Sequence, residues 1–229
     1  MRFVVHPSFV RRKAVLFGSL TGSAFLGLIV AGFGSYFRPS LLWAGEHPAC
    51  LVVLKETLSP TLSAVQGYQD EQAVLKKLET LPNDYIGITN LVLPSSKRGD
   101  IDIVLLGPMG VLVIEVKAYS GHIRYEKGRW WKVQKNGWKT AFKSVSGQAK
   151  GNGRELEAFL HSKGHSCRVG SVLVFVGTEQ LDVETLKMPV VMTEALMPFI
   201  SQLPLRMAQQ DVEQFASLLS TQRILQPAR

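Results

Sequence analysis

The chain has 229 residues, 46% of them hydrophobic, enough for one ordinary packed domain with an appendage, while two domains with separate cores would be a squeeze. Its formal charge of +8 does not by itself mark a nucleic-acid binder: Arg2, Arg11, Arg12, Lys13 and Arg38 precede the first acidic residue, Glu46, and without those five, 21 basic residues face 18 acidic ones. Cys50 and Cys167 lack the spacing of a metal knuckle or a disulfide framework and read as unpaired thiols.

The first element, after a basic stretch over 1–13, is a run of 24 uncharged residues, 14–37, which as a helix would be about 36 Å long. It exceeds the core of a cleaved signal peptide, and no small-x-small cleavage site follows at once, so the sequence predicts an uncleaved, single-pass membrane helix. Arg11, Arg12 and Lys13 abut one end and only Arg38 the other, which places the N-terminus in the cytoplasm and the bulk of the chain outside. Gly18-x-x-x-Gly22 and Gly27-x-x-x-Ala31 are spacings that bring membrane helices together, so a homodimer is one expected partner state.

Residues 38–65, with Pro39, Pro48 and Pro60, read as a linker holding one short helix around 51–56. The domain proper is expected over 66–222. Val74, Leu75, Leu78 and Leu81 make one apolar stripe on a helix over 68–81, ended by Pro82-Asn83. Three β-branched runs follow at 86–93, 101–106 and 111–117, then three shorter strands at 122–125, 130–134 and 138–141 divided by Lys127-Gly128 and Asn136-Gly137. A helix over 148–160, a buried strand at 169–176, a short strand at 189–192 and two helices at 194–202 and 211–220 complete an α/β layered domain.

The chemistry concentrates on the hairpin 101–117. If its register is symmetric about Gly107-Pro108-Met109-Gly110, Asp102 stands opposite Glu115 and Asp100 opposite Lys117. Two like charges in directly opposed positions destabilise a sheet. A divalent cation shared by both carboxylates offsets that repulsion, and Mg²⁺, which takes one or two carboxylates with water completing its shell, fits. The two-residue period puts Glu115 and Lys117 on one face, and the stripe of the first helix carries Glu71 toward the sheet as a third carboxylate. Gln148, at the start of the later helix, is placed to touch water or substrate. Asp100 reads as a turn acid or a partner for Lys117, and His122 and His161 as surface residues.

From Lys117 to Arg154 there are ten basic residues and one acidic, Glu126, interleaved with Trp130, Trp131 and Trp138. Basic strands bearing exposed aromatics suit phosphate contacts and base stacking, which nominates Lys127, Arg129, Trp130, Lys132, Lys143 and Lys150 for nucleic acid. Adjacent Trp130 and Trp131 cannot both point inward.

Gly67-x-x-x-Glu71, Gly99-Asp100-Ile101-Asp102, the stretch Gly110 to Ile123 around Glu115-Val116-Lys117, Trp131 and Gln148 together resemble the nuclease-related domain family, NERD, over about residues 67–160. The resemblance implies a restriction-endonuclease-like central mixed sheet flanked by helices, of the PD-(D/E)XK kind, and Mg²⁺-dependent hydrolysis of phosphodiester bonds, DNA in preference to RNA. It also implies Asp102, Glu115 and Glu71 as metal ligands, Lys117 as the catalytic lysine and Gln148 as a further site residue. The sequence departs from the family where Ser144-Val145-Ser146-Gly147 precedes Gln148 in place of a frequent Asn-Pro. An external domain also sits badly with cellular DNA as substrate, which leaves a non-catalytic nucleic-acid-binding or envelope interaction module as the alternative.

Overall fold

The structure is a computed structural model that describes residues 1–5, 66, 67, 69–94, 96, 99–142 and 144–221. The chain divides into two units, Met1–His6 with Asp70–Arg229, and Pro7–Gln69. The expected membrane helix at 14–37, nearly all of the linker at 38–65 with its short helix, and Lys143 lie outside the described residues. No helix among the described residues is long and apolar enough to cross a membrane.

The first unit is built on one eight-stranded mixed sheet. Its strands are β1 (Arg2–Val5), β2 (Ile86–Leu91), β3 (Ile101–Gly107), β4 (Gly110–Glu126), β5 (Arg129–Val133), β6 (Lys139–Phe142), β7 (Val169–Val183) and β8 (Val190–Met192). The helices are α1 over 69–78, α2 (Val145–Ser162), α3 (Leu196–Ser201, entered through a 3-10 turn at Thr193–Ala195) and α4 (Gln209–Ser220). β1 was not expected from the sequence. It pairs in parallel with β2 over Arg2↔Ile86 to Val5↔Thr89, and β2 to β6 then follow as antiparallel neighbours.

Both faces of the inner sheet are covered, so β2, β3 and the first half of β4 read as nearly unbroken apolar runs rather than alternating ones, while β5 and β6 are largely exposed. On one face Val74, Leu75 and Leu78 of α1 and Leu196 and Ile200 of α3 pack on Ile103, Leu105, Leu112, Ile114 and Val116. On the other, Leu156, Phe159 and Leu160 of α2 and Val212, Phe215 and Leu219 of α4 cover Ile88, Val104, Leu106, Val111 and Val113. Helix α2 comes close because it carries Gly153 at the contact: a Cβ there would lie 2.2 Å from Ser171 Oγ on β7.

β4 is the spine, and its 17 residues exceed the two separate strands expected because the chain continues through Gly121, at φ +86°, instead of turning. One edge pairs in parallel with β7 from Val111↔Val169 to Tyr125↔Val183, with irregularities around Ala118–His122. The other edge is shared. β3 takes it from Gly107↔Gly110 to Ile103↔Ile114, and β5 takes it from His122↔Val133 to Glu126↔Arg129. Between Glu115 and Gly121 that edge has no paired strand among the described residues, which leaves a notch where β3 and β5 diverge.

Candidate active site

The hairpin β3–β4 forms in the register that symmetry about its loop predicts, with Leu106↔Val111 and Ile103↔Ile114, and the turn itself tightens to Pro108-Met109 because Gly107 and Gly110 pair. Extending the register by one step puts Asp102 and Glu115 face to face at the mouth of the notch. There the backbone ladder stops. Asp102 Oδ2 instead accepts the N–H of Val116 at 2.8 Å, so a side chain satisfies the donor that a continuing strand would have paired.

Glu115 is fully buried, on the face covered by α2. Its Oε2 accepts a hydrogen bond from Asn152 Nδ2 of α2 at 2.9 Å. Its Oε1 is paired with the Lys117 ammonium at 2.7 Å, in a geometry short of a well-aligned hydrogen bond. Lys117 follows two residues on along β4, and its side chain is 23% exposed, the route by which solvent or a substrate reaches the pair. Glu71, only 6% exposed, comes from α1 on the opposite face of the sheet.

The electrostatics are unfavourable for three carboxylates at once. Burial pushes Glu71 up to about 7, with the Asp100 carboxylate adding to the rise, Lys117 opposing it and Glu115 adding again. Asp102 is pushed well above the usual carboxylate range, first by burial and then by Glu115, against the pull of Lys117 and the Val116 N–H. Burial also raises Glu115, though Lys117 and the Asn152 amide hold it back. For Lys117 burial disfavours the ammonium, but Glu115 and Asp102 outweigh it and keep its pKa above the ordinary lysine value. Lys117 is therefore a fixed cation at neutral pH, suited to stabilising negative charge and orienting water rather than to taking up a proton.

Among the described residues no three Asp, Glu, His or Cys side chains stand as a closed metal cage. The residues nevertheless fit a hard divalent cation. Asp102 presents an oxygen not engaged by Val116, Glu115 presents the buried Oε1 without an aligned donor, and two carboxylates with water suffice for Mg²⁺.

The remaining expectations divide. Gln148 is half-buried in the first turns of α2. Asn152, one helical turn further along the same side, is the residue that reaches Glu115, and the sequence reading missed it. Two signals marked it: the four-residue spacing from Gln148, and the adjacent Gly153, where a Cβ would meet Ser171 of β7. Trp130 has to be withdrawn as a stacking residue. It is 1% exposed and sits in a core cluster with Ile123, Phe175 and Ala149, its indole N–H donating to Ser146 Oγ at 3.3 Å. The alternation of β5 turns Trp131 to the other face, and among the described residues the exposed tryptophan is Trp138, 72% accessible beside the Asn136-Gly137 turn.

Lys127, Arg129 and Lys132 are exposed and Lys150 is half-buried. Lys132 Nζ reaches Ser120 Oγ at 3.3 Å, which keeps it beside the notch. Lys127 and Arg129 lie at the far turn of the β4–β5 ribbon, ten and twelve residues beyond Lys117 in sequence, so about 30 Å of strand separates Lys127 from the site.

A mixed sheet flanked by helices, with two carboxylates and a lysine where its strands part, fits a nuclease-like fold. Residues 66–176, just under half of the chain, match the model of the family described as "Nuclease-related domain", NERD. The fold expected of that family is PD-(D/E)XK-like, and the match ends within β7, before β8, α3 and α4 complete the sheet and its cover. No curated protein and no solved structure matches the chain.

Proposed function

We propose that this domain is a divalent-metal-dependent nuclease, using Mg²⁺ to hydrolyse DNA phosphodiester bonds at a membrane to which the apolar run 14–37 attaches it. The observation that carries the reading is the pairing of half-buried Asp102 with buried Glu115 beside the Lys117 ammonium, where β4 has an unpaired edge among the described residues. Such a pair is unfavourable as a structural device and is what a cation-binding site requires.

Asp102 and Glu115 would hold the ion, with Glu71 acting through a water from α1. The ion, when bound, supplies positive charge that polarises the phosphate and lowers the pKa of water. Lys117, held protonated by its neighbours, stabilises the charge that builds on the phosphoryl oxygens and orients the attacking water. Asn152 holds Oε2 of Glu115 and so favours its rotamer, which leaves Oε1 beside Lys117, where it would serve as a ligand to the ion. Lys132, beside Ser120, and Gln148, in the first turns of α2, would contact the nucleic-acid backbone, and Lys150 would add to its field.

The test is cleavage of linear duplex DNA by the full chain in detergent with MgCl₂. The reading requires cleavage that chelator abolishes and Glu115→Gln removes. Cleavage unchanged in that variant would sink it. Salt-sensitive DNA binding with no cleavage and no response to chelator would point instead to a non-catalytic nucleic-acid-binding module.

A further inference from the structure

We propose that Asn90 is a positioning residue: its left-handed backbone, opposite Asp102, rolls the β2–β3 pair over and aims the Asp102 carboxylate along the plane of the sheet, at the open edge of β4. The consequence for a bound ion rests on the proposed function; the placement of Asp102 does not.

Among the described residues two that are not glycine have positive φ, Asn90 at 55° and Lys127 at 50°. Lys127 lies in the tight turn between the paired residues Glu126 and Arg129, where such a conformation is ordinary. Asn90 lies inside a strand and is 5% exposed, with no turn to require it. Left-handed backbone is disfavoured for residues that carry a Cβ, asparagine least among them, and it persists only where the surroundings over-determine it.

Its effect is visible on both strands. Ile86 and Ile88 of β2 pack on the α2–α4 face, and a two-residue period would turn Leu91 to the other face; Leu91 and Leu93 instead join Ile86 and Ile88. On β3, Ile103 and Leu105 pack on the α1–α3 face, yet Ile101, two residues before Ile103, packs on the α2–α4 face. The pairing keeps step throughout, with Thr89↔Ile103 and Leu91↔Ile101. The two strands therefore change face together, and the residues at the crossing are Asn90 and, opposite it, Asp102.

A side chain of a regular strand stands off the face of the sheet and does not reach the backbone of its neighbour. At the crossing Asp102 is between faces. Its Oδ2 accepts the N–H of Val116 at 2.8 Å, a donor that lies in the plane of the sheet on the edge of β4 that β3 has left. The same placement brings the carboxylate within electrostatic reach of Glu115 and Lys117. Asn90 touches none of the reacting groups in this account; it acts through the direction it gives Asp102.

The experiment reads amide hydrogen exchange residue by residue in the metal-free full chain in detergent. A β-branched residue resists the left-handed region and glycine enters it freely. In Asn90→Val, exchange of the Val116 N–H should accelerate by about tenfold or more relative to the amides of paired Leu105 and Leu112, while in Asn90→Gly it should stay within about threefold of wild type. A Val116 amide that exchanges alike in wild type and Asn90→Val, or that accelerates as much in Asn90→Gly, would overturn the proposal. If Asn90→Val does not fold, Asn90→Ala replaces it, and the same ordering against Asn90→Gly is required. Calorimetric titration of Mn²⁺ then separates placement from function. Affinity about tenfold weaker in Asn90→Val and near wild type in Asn90→Gly extends the role to the ion, and equal affinities would overturn that role. No Mn²⁺ binding by wild type would remove the metal-dependent reading, with the placement of Asp102 decided by Val116 alone.

Discussion

Strand β4 carries charged residues through two environments, and they behave in opposite ways. In its inner half, Glu115 and Lys117 lie between helical layers with Asp102 and Glu71 nearby, and burial raises all three carboxylates. In its outer half, His122, Arg124 and Glu126 stand on a ribbon that reaches solvent. There Asp182 of β7 bonds His122 Nε2 at 2.7 Å and Arg124 at 2.9 Å, contacts that with Gln180 hold its carboxyl down to about 2, and Glu126 is lowered by its bond to Lys139. Outer charges are matched to one another and only half-buried, so each is paired within the ribbon and partly screened by solvent. Inner charges are mismatched and buried, an arrangement that protonation relieves in the metal-free chain and that a cation and a phosphate would relieve under the proposed function. Perturbation upward rather than downward therefore separates the candidate site from a surface cluster of similar composition.

The contrast sharpens first through activity. Glu115→Gln or Asp102→Asn should lower DNA cleavage by on the order of 100-fold or more, measured as kcat/KM with saturating Mg²⁺. Asn152→Ala, which leaves both ligands in place but frees the Glu115 rotamer, should cost about 10–100-fold and raise the Mg²⁺ concentration for half-maximal rate, a shift that a purely structural role would not produce.

Stability should invert the ranking. Glu71 has a folded-state pKa of about 7 against an ordinary 4.5, so the metal-free native state binds its proton more tightly than the unfolded chain does. Stability contributed by that proton is present below about pH 4.5 and is lost as pH rises through 7, at a cost of about 3 kcal/mol at most. Thermal melting of the metal-free protein should therefore fall between pH 5 and pH 8, and Glu71→Gln should flatten the profile and raise Tm at pH 8. A wild-type Tm that rises over that interval would contradict the inner-half picture.

The smallest effect belongs to the outer half. Asp182→Asn should leave cleavage within about twofold of wild type. Because the folded Asp182 titrates at about 2, below its ordinary 3.8, its contribution is present above 3.8 and lost as pH falls through 2, so any difference in Tm from the variant should vanish at the acid end.

How much of this the residues announced depends on how local each contact is. The β3–β4 register was legible because a short turn and a two-residue period fix it, and Glu115 and Lys117 came with it. The boundaries of β5, β6 and α2 moved by a few residues because alternation and caps define ends weakly. Trp130 was misassigned because the alternation of β5 says that one tryptophan points inward but not which; a third layer, α2, decided it through Ser146 and Ala149. Asn152 and β1 were invisible for a different reason. Their partners lie 37 and more than 80 residues away, and β1 is four residues of ordinary hydrophobic sequence beside a run that reads as membrane.

Calorimetric titration of Mn²⁺, a close stand-in for Mg²⁺, into the full chain in detergent tests the notch most directly. One binding event per chain, lost in Glu115→Gln and weakened in Asn152→Ala, is the predicted result. Equal heats from wild type and Glu115→Gln, or none from either, would contradict the claim that these carboxylates are held apart from solvent for an ion.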